Sequence, residues 1–145
     1  MAAPQAGPTL VFQQPVTGDG TMQVVLLIAF FGALGCLTRY FLSGWVYRVI
    51  GGVFPSGTFA VNIFGAFCIG LIMEFSMRST LIPPQLRIGL TIGFLGGLTT
   101  FSTFSYETFR MLEEGQLFLA AANVLGSVLV CLIFTWAGIM AARAL

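Results

Sequence analysis

The stretch Gly93-Phe94-Leu95-Gly96-Gly97-Leu98-Thr99-Thr100-Phe101-Ser102-Thr103-Phe104-Ser105 places glycines, hydroxyls and aromatic rings together inside an apolar chain. Adjacent glycines followed by two threonines are poor helix formers in water. In a membrane, a helix interruption is tolerated only where protein buries it or where it lines a cavity. Carbonyls freed there can coordinate a cation. Small residues also let a second helix approach closely, and the spacing fits both readings. Phe101 and Phe104 are three apart, so on a helix they share a face, displaced by about 4.5 Å along the axis. An aromatic ring has a positive edge. Edges turned toward a path would attract an anion without holding it tightly. With 15 phenylalanines in the chain, packing rings fit as well. Thr100 and Thr103 form a polar pair beside them.

Other polar groups lie in equally apolar surroundings. Thr58 and Asn62 are four apart and share a helix face. Asn62 carries two N–H donors that an anion or a neighbouring helix can accept. Asn123, Ser127, Cys131 and Thr135 are each four residues from the last, a narrow polar stripe that can line a path or bond helices together. Arg39 lies within an apolar segment, where a guanidinium is a candidate for function or snorkels to the interface. At helical spacing Glu107 is expected to pair with Arg110, and Glu74 with Arg78.

What is missing narrows the classes. There is no histidine, the usual general base and metal ligand. Cys36, Cys68 and Cys131 sit in apolar stretches without CxxC spacing and read as packing residues. No nucleophile, base or metal cluster is present, so an enzyme is not read. A net charge of +1 offers no basic patch, so nucleic acid is not a partner.

The elements that must position these groups are membrane helices. Of 145 residues, 57% are hydrophobic and 8% charged, and mean hydropathy is +0.97. A soluble domain carries about 25% charged residues. Four segments reach the roughly 20 apolar residues of a membrane helix: about 23–46, 56–76, 85–113 and 116–142. The Gly51–Pro55 stretch, Pro83-Pro84 and Glu113-Glu114-Gly115 mark the connections. Strand alternation is absent. Residues 1–22 hold Pro4, Pro8 and Pro15 with no apolar period, and read as a disordered tail before one four-helix transmembrane domain over 23–145. No basic residue precedes Arg39, so a secretory leader is not read. With four spans, Arg78, Arg87 and Arg143 fall on one side, Arg48 and Arg110 on the other. So small a bias predicts insertion in both orientations, and hence an antiparallel homodimer.

Gly32-Ala33-Leu34-Gly35 with Arg39-Tyr40, Gly57-Thr58 with Asn62, and the Gly93–Phe104 stretch resemble the Fluc/CrcB fluoride channels. The resemblance runs from about Gln23 to Ala142. It implies an all-α subunit of four transmembrane helices, the third broken near its middle, in an antiparallel, dual-topology dimer in the cell membrane, the inner membrane of a bacterium. It implies passive export of fluoride, lowering cytoplasmic fluoride and its toxicity. The family's pore phenylalanines match Phe101 and Phe104, and its pore asparagine matches Asn62. Thr103 and Ser127 match its polar track, Thr58 is expected among the pore residues with them, and Arg39 and Glu107 are expected in structural or vestibule positions. A structural sodium ion, not transported, would be held by backbone carbonyls of Gly96 and Thr99. Cys131 stands where some relatives have a serine. The alternative is a proton-coupled exporter of the small multidrug-resistance type, which needs a carboxylate in its first span. The only charge in that span is Arg39.

Overall fold

The computed structural model describes residues 20–145, and these are all helix and connecting turns. Four passages are long and apolar enough to cross a membrane: Gly20–Ile50, Ser56–Arg78, Pro84–Glu113 and Leu117–Ala144. Three are single helices, α1 (Gly20–Ile50), α2 (Ser56–Arg78) and α6 (Leu117–Ala144). The third passage is composite. It contains α3 (Pro84–Ile88), a π-helical stretch (Gly89–Leu95), α4 (Gly96–Leu98) and α5 (Phe101–Glu113).

The tail expected over residues 1–22 falls outside the described residues as far as residue 19. Residues 20–22 are not tail but the first turn of α1. At its other end α1 continues to Ile50, four residues beyond the expected stop. Nothing in Tyr47-Arg48-Val49-Ile50 opposes a helix. The stop comes at Gly51 and Gly52, with φ of 64° and 88°, a conformation glycine adopts without a Cβ clash. Gly115, with φ of 75°, turns the chain from α5 into α6. Pro84 opens α3, where its missing N–H costs nothing.

Glycines set how closely the helices approach. A Cβ on Gly70 would strike the Thr135 carbonyl, and one on Gly138 the Phe67 carbonyl. The α2–α6 seam is therefore backbone against backbone. The α1 seam with the first half of the third passage is built the same way: a Cβ on Gly35 would strike the Phe94 carbonyl, and one on Gly97 the Gly32 carbonyl. In lipid, where the hydrophobic effect does not drive helices together, such van der Waals contact is the main attraction. Val61, Leu95 and Leu98 form the buried centre, covered by Leu42, Ile69, Ile72 and Phe94. Large apolar side chains, among them Leu26, Phe30, Phe41 and Trp45 of α1, face outward, as a lipid-facing surface requires.

Thr99 and Thr100 leave helical dihedrals, with ψ of 157° and 116°. Helix resumes at Phe101, and the third passage as a whole bends by 20°.

Candidate functional site

Where the third passage departs from helix, two side chains take over its hydrogen bonds. Asn62 Oδ1 accepts the Thr100 N–H at 2.8 Å, and Asn62 Nδ2 donates to the Thr100 carbonyl at 3.2 Å. Thr100 Oγ1 accepts the Thr103 N–H at 3.2 Å and so caps α5, a role threonine fills well. In an unbroken helix the Thr100 and Thr103 N–H groups would bond the carbonyls of Gly96 and Thr99. Here both are diverted, and no other backbone N–H among the described residues takes their place. The two carbonyls keep hard oxygen lone pairs free, which is the ligand type a sodium ion needs.

Beside this junction lies a cavity of about 430 Å³. Its walls bring together Asn62 of α2, Gly96, Thr99 and Thr100 of the junction, Phe101 and Phe104 of α5, and Ser127 and Cys131 of α6. Residues from three passages, from Asn62 to Thr135 in sequence, thus meet in one place. The Phe101 and Phe104 rings lie 5.5 Å apart, their planes inclined by 39°. Phe104 is half-buried, whereas Phe101 is 79% exposed.

The donor inventory decides what the cavity can bind. Asn62 spends one N–H on Thr100 and retains the other. Thr100 Oγ1 donates to Thr103 Oγ1 at 3.0 Å, which leaves the Thr103 proton free. Ser127 Oγ donates to Asn123 Oδ1 at 3.4 Å, a long bond that a stronger acceptor can displace. The first N–H groups of α5 also point toward its N-terminus, where the helix dipole favours negative charge. No lining residue carries a charge. Partial positive charge without a charged side chain suits a small anion that must also leave.

A family model described as CrcB-like protein, Camphor Resistance (CrcB), matches residues 26–139. The chain belongs to this CrcB-like family. It is 75% identical over 124 residues to a protein of Geotalea uraniireducens (strain Rf4) named Fluoride-specific ion channel FluC, covering 86% of this chain and 100% of that protein. A protein of the same name from Geotalea daltonii (strain DSM 22248 / JCM 15807 / FRC-32) is 75% identical over 122 residues, covering 84% and 98%. One from Geobacter metallireducens (strain ATCC 53774 / DSM 7210 / GS-15), again of that name, is 70% identical over 122 residues, with the same coverage. These CrcB-like relatives are named as channels, not enzymes. With four membrane-length helices, this CrcB-like chain is a multi-pass membrane protein.

Several expected site residues stand outside the cavity. Thr58 Oγ1 donates to Glu107 Oε1 at 3.0 Å, joining α2 to α5. Glu107 Oε2 is buried without a hydrogen-bond partner. The expected Glu107–Arg110 pair does not form. Arg110 instead reaches Glu113 at 2.8 Å and Glu114 at 3.4 Å, which lie at the helix end where its long side chain meets the surface. Glu74 does pair with Arg78 at 2.8 Å, and Arg143 of α6 joins it at 2.8 Å. Thr103 adjoins the cavity through Thr100. Arg39 is half-buried on α1 and makes no ion pair among the described residues. Thr100 was legible as a hydroxyl but not as the cap and Asn62 partner. Thr108 gave no signal at all. It becomes visible only because α5 turns it onto Asn123, whose Nδ2 donates to Thr108 Oγ1 at 2.8 Å.

Proposed function

We propose that the chain is a fluoride-specific ion channel through which fluoride leaves the cytoplasm passively, lowering its concentration and toxicity there. The observation that carries this reading is the uncharged cavity whose walls combine Asn62, Phe101, Phe104 and Ser127. The family relatives bearing the fluoride-channel name support it. Fluoride is small and strongly hydrated, so each lost water must be replaced by a close donor. The spare Asn62 N–H supplies one, and the Thr103 hydroxyl, which adjoins the cavity through Thr100, supplies a second at its open side. Ser127 supplies a third once its proton turns from Asn123 to the ion. The positive edges of Phe101 and Phe104 add weak attraction between donors. None of these groups binds as a full charge would, which keeps release fast.

The cavity is open along one side, and Phe101, Ser102 and Thr103 are exposed at the depth of a membrane span. Hydroxyls facing hydrocarbon are costly. A second copy in antiparallel orientation would cover them and narrow the path, so the working unit is a dual-topology homodimer in a bacterial inner membrane. The carbonyls of Gly96 and Thr99 would hold a structural sodium ion, with the second copy completing its shell. When bound, the ion supplies a fixed positive charge and a tie between subunits, and is not itself transported.

Fluoride efflux from liposomes holding the purified protein tests the reading, with chloride efflux measured beside it. Rapid fluoride efflux without a proton gradient, and no chloride efflux, is the expected result. A well-folded protein that moves neither ion refutes the channel reading. Proton-driven export of organic cations would then be assayed, although α1 contains no carboxylate to couple it. Replacing sodium by a large organic cation is expected to lower the melting temperature. An unchanged melting temperature would remove the sodium site.

A further inference from the structure

α5 carries both pore phenylalanines, yet few polar ties hold it in place. Among the described residues, three residue pairs link Thr100 and α5 to other helices through side-chain hydrogen bonds. Two of them, Asn62–Thr100 and Thr58–Glu107, reach α2. The third reaches α6, where Asn123 Nδ2 donates to Thr108 Oγ1 at 2.8 Å. Thr108 Oγ1 in turn donates to the carbonyl of Phe104 at 2.7 Å. Ser127 completes the series by donating to Asn123 Oδ1. All three donors point the same way, from the cavity wall at Ser127 to the backbone of Phe104. Aligned hydrogen bonds in a low dielectric polarise and strengthen one another.

Asn123 is 1% exposed, and neither it nor Thr108 lines the cavity. A buried amide left without partners is heavily penalised. The Asn123 side chain therefore has one strongly preferred arrangement, and Thr108 must sit opposite it. Thr108 lies one turn beyond Phe104, so whatever fixes Thr108 also fixes the height and rotation of that ring. We propose that Asn123 and Thr108 are positioning residues, a strut that sets Phe104 against Ser127 and thereby governs how readily the cavity passes its anion. This rests on the fluoride-channel reading and adds to it two residues that need not touch the ion.

The test uses the full-length protein with 4-fluorophenylalanine at position 104. Two readouts are taken, fluoride flux in liposomes and the fluorine-19 resonance of that ring. Thr108→Val keeps the shape and removes both hydrogen bonds. It is expected to change flux by at least about threefold, the scale of one lost hydrogen bond, and to shift or broaden the resonance. Thr108→Ser is expected to restore both, and Thr108→Val added to Asn123→Ala to do no more than Asn123→Ala alone. A folded Thr108→Val protein with wild-type flux and an unmoved resonance overturns the strut. So does a loss of flux with the resonance unmoved, because positioning would then not be the cause. If the wild-type protein passes no fluoride, the channel reading fails while the resonance still reports on the strut.

Discussion

In the third passage, residues 84–98 lie against α1, while residues 101–113 pack mainly against α6 and α2 with much of their surface open. The first half is glycine-rich and is joined to α1 by backbone contact at Gly35, Gly93 and Gly97. The second half has four serines or threonines and four aromatics among its 13 residues, where the first has four glycines among 15, and it is tied by single side-chain hydrogen bonds. Thr99 and Thr100 separate the two. Backbone-to-backbone packing tolerates no added volume, so the first half acts as a fixed support. Side-chain ties can be cut one at a time, so the second half is where ion passage can be altered without unfolding the protein.

The largest effect on stability is expected from adding volume to the support. In Gly35→Ala the new methyl meets the Phe94 carbonyl, which is backbone and cannot rotate away. Overpacking of this kind costs about 1–3 kcal/mol. Thermal melting in detergent should show a large drop, with fluoride flux lost in proportion to folded protein. A melting temperature equal to wild type would mean that α1 is not a rigid partner.

The mirror-image experiment leaves the support alone. Phe101→Ile with Phe104→Ile removes both ring edges from α5, where Phe101 is exposed and Phe104 only half-buried beside the cavity. Flux should fall on the order of a hundredfold, equivalent to about 3 kcal/mol in the barrier, with melting unchanged. Should melting fall as far as flux, the two rings are packing residues. Asn62→Ala sits on the boundary between the halves and should affect both readouts. It removes the two bonds to Thr100 and the spare donor together. About tenfold in flux and about 1–2 kcal/mol in stability are expected. Loss of stability alone would confine Asn62 to clamping the junction.

The same contrast explains what the sequence revealed. Spans were legible because about 20 apolar residues in a row have few other uses. The Gly51-Gly52 and Gly115 turns were legible because positive φ demands glycine. Ends were less so. α1 overran its expected limits because Tyr47 to Ile50 are compatible with helix and only the glycine beyond them is not. Asn62, Phe101, Phe104 and Ser127 could be picked out by type and spacing, but not their meeting in one cavity, which depends on how α2 and α6 pack. The Asn62–Thr100 clamp and the Asn123–Thr108 bond were not legible, because a side chain's partner across 38 or 15 residues leaves no mark in local spacing. Glu107 was assigned to Arg110 on helical spacing alone. The nearby Glu113 and Glu114 are equally well spaced for Arg110 and are exposed, so they take it.

The polar stripe on α6 gives the finest test, because its members look alike in sequence and differ in where their protons go. Thr135 Oγ1 donates to the Cys131 carbonyl at 2.9 Å, an optimal bond within its own helix. Ser127 Oγ donates across 3.4 Å to Asn123. Both residues line the cavity. An anion can recruit the loosely held Ser127 proton at little cost, whereas the Thr135 proton must first leave a good acceptor. Ser127→Ala should therefore lower fluoride flux by about threefold, the scale of one hydrogen bond. Thr135→Val, matched in shape, should leave flux within experimental scatter. Equal losses in the two variants would mean that the stripe acts as a general polar surface, and that the proton inventory drawn from these distances does not govern passage.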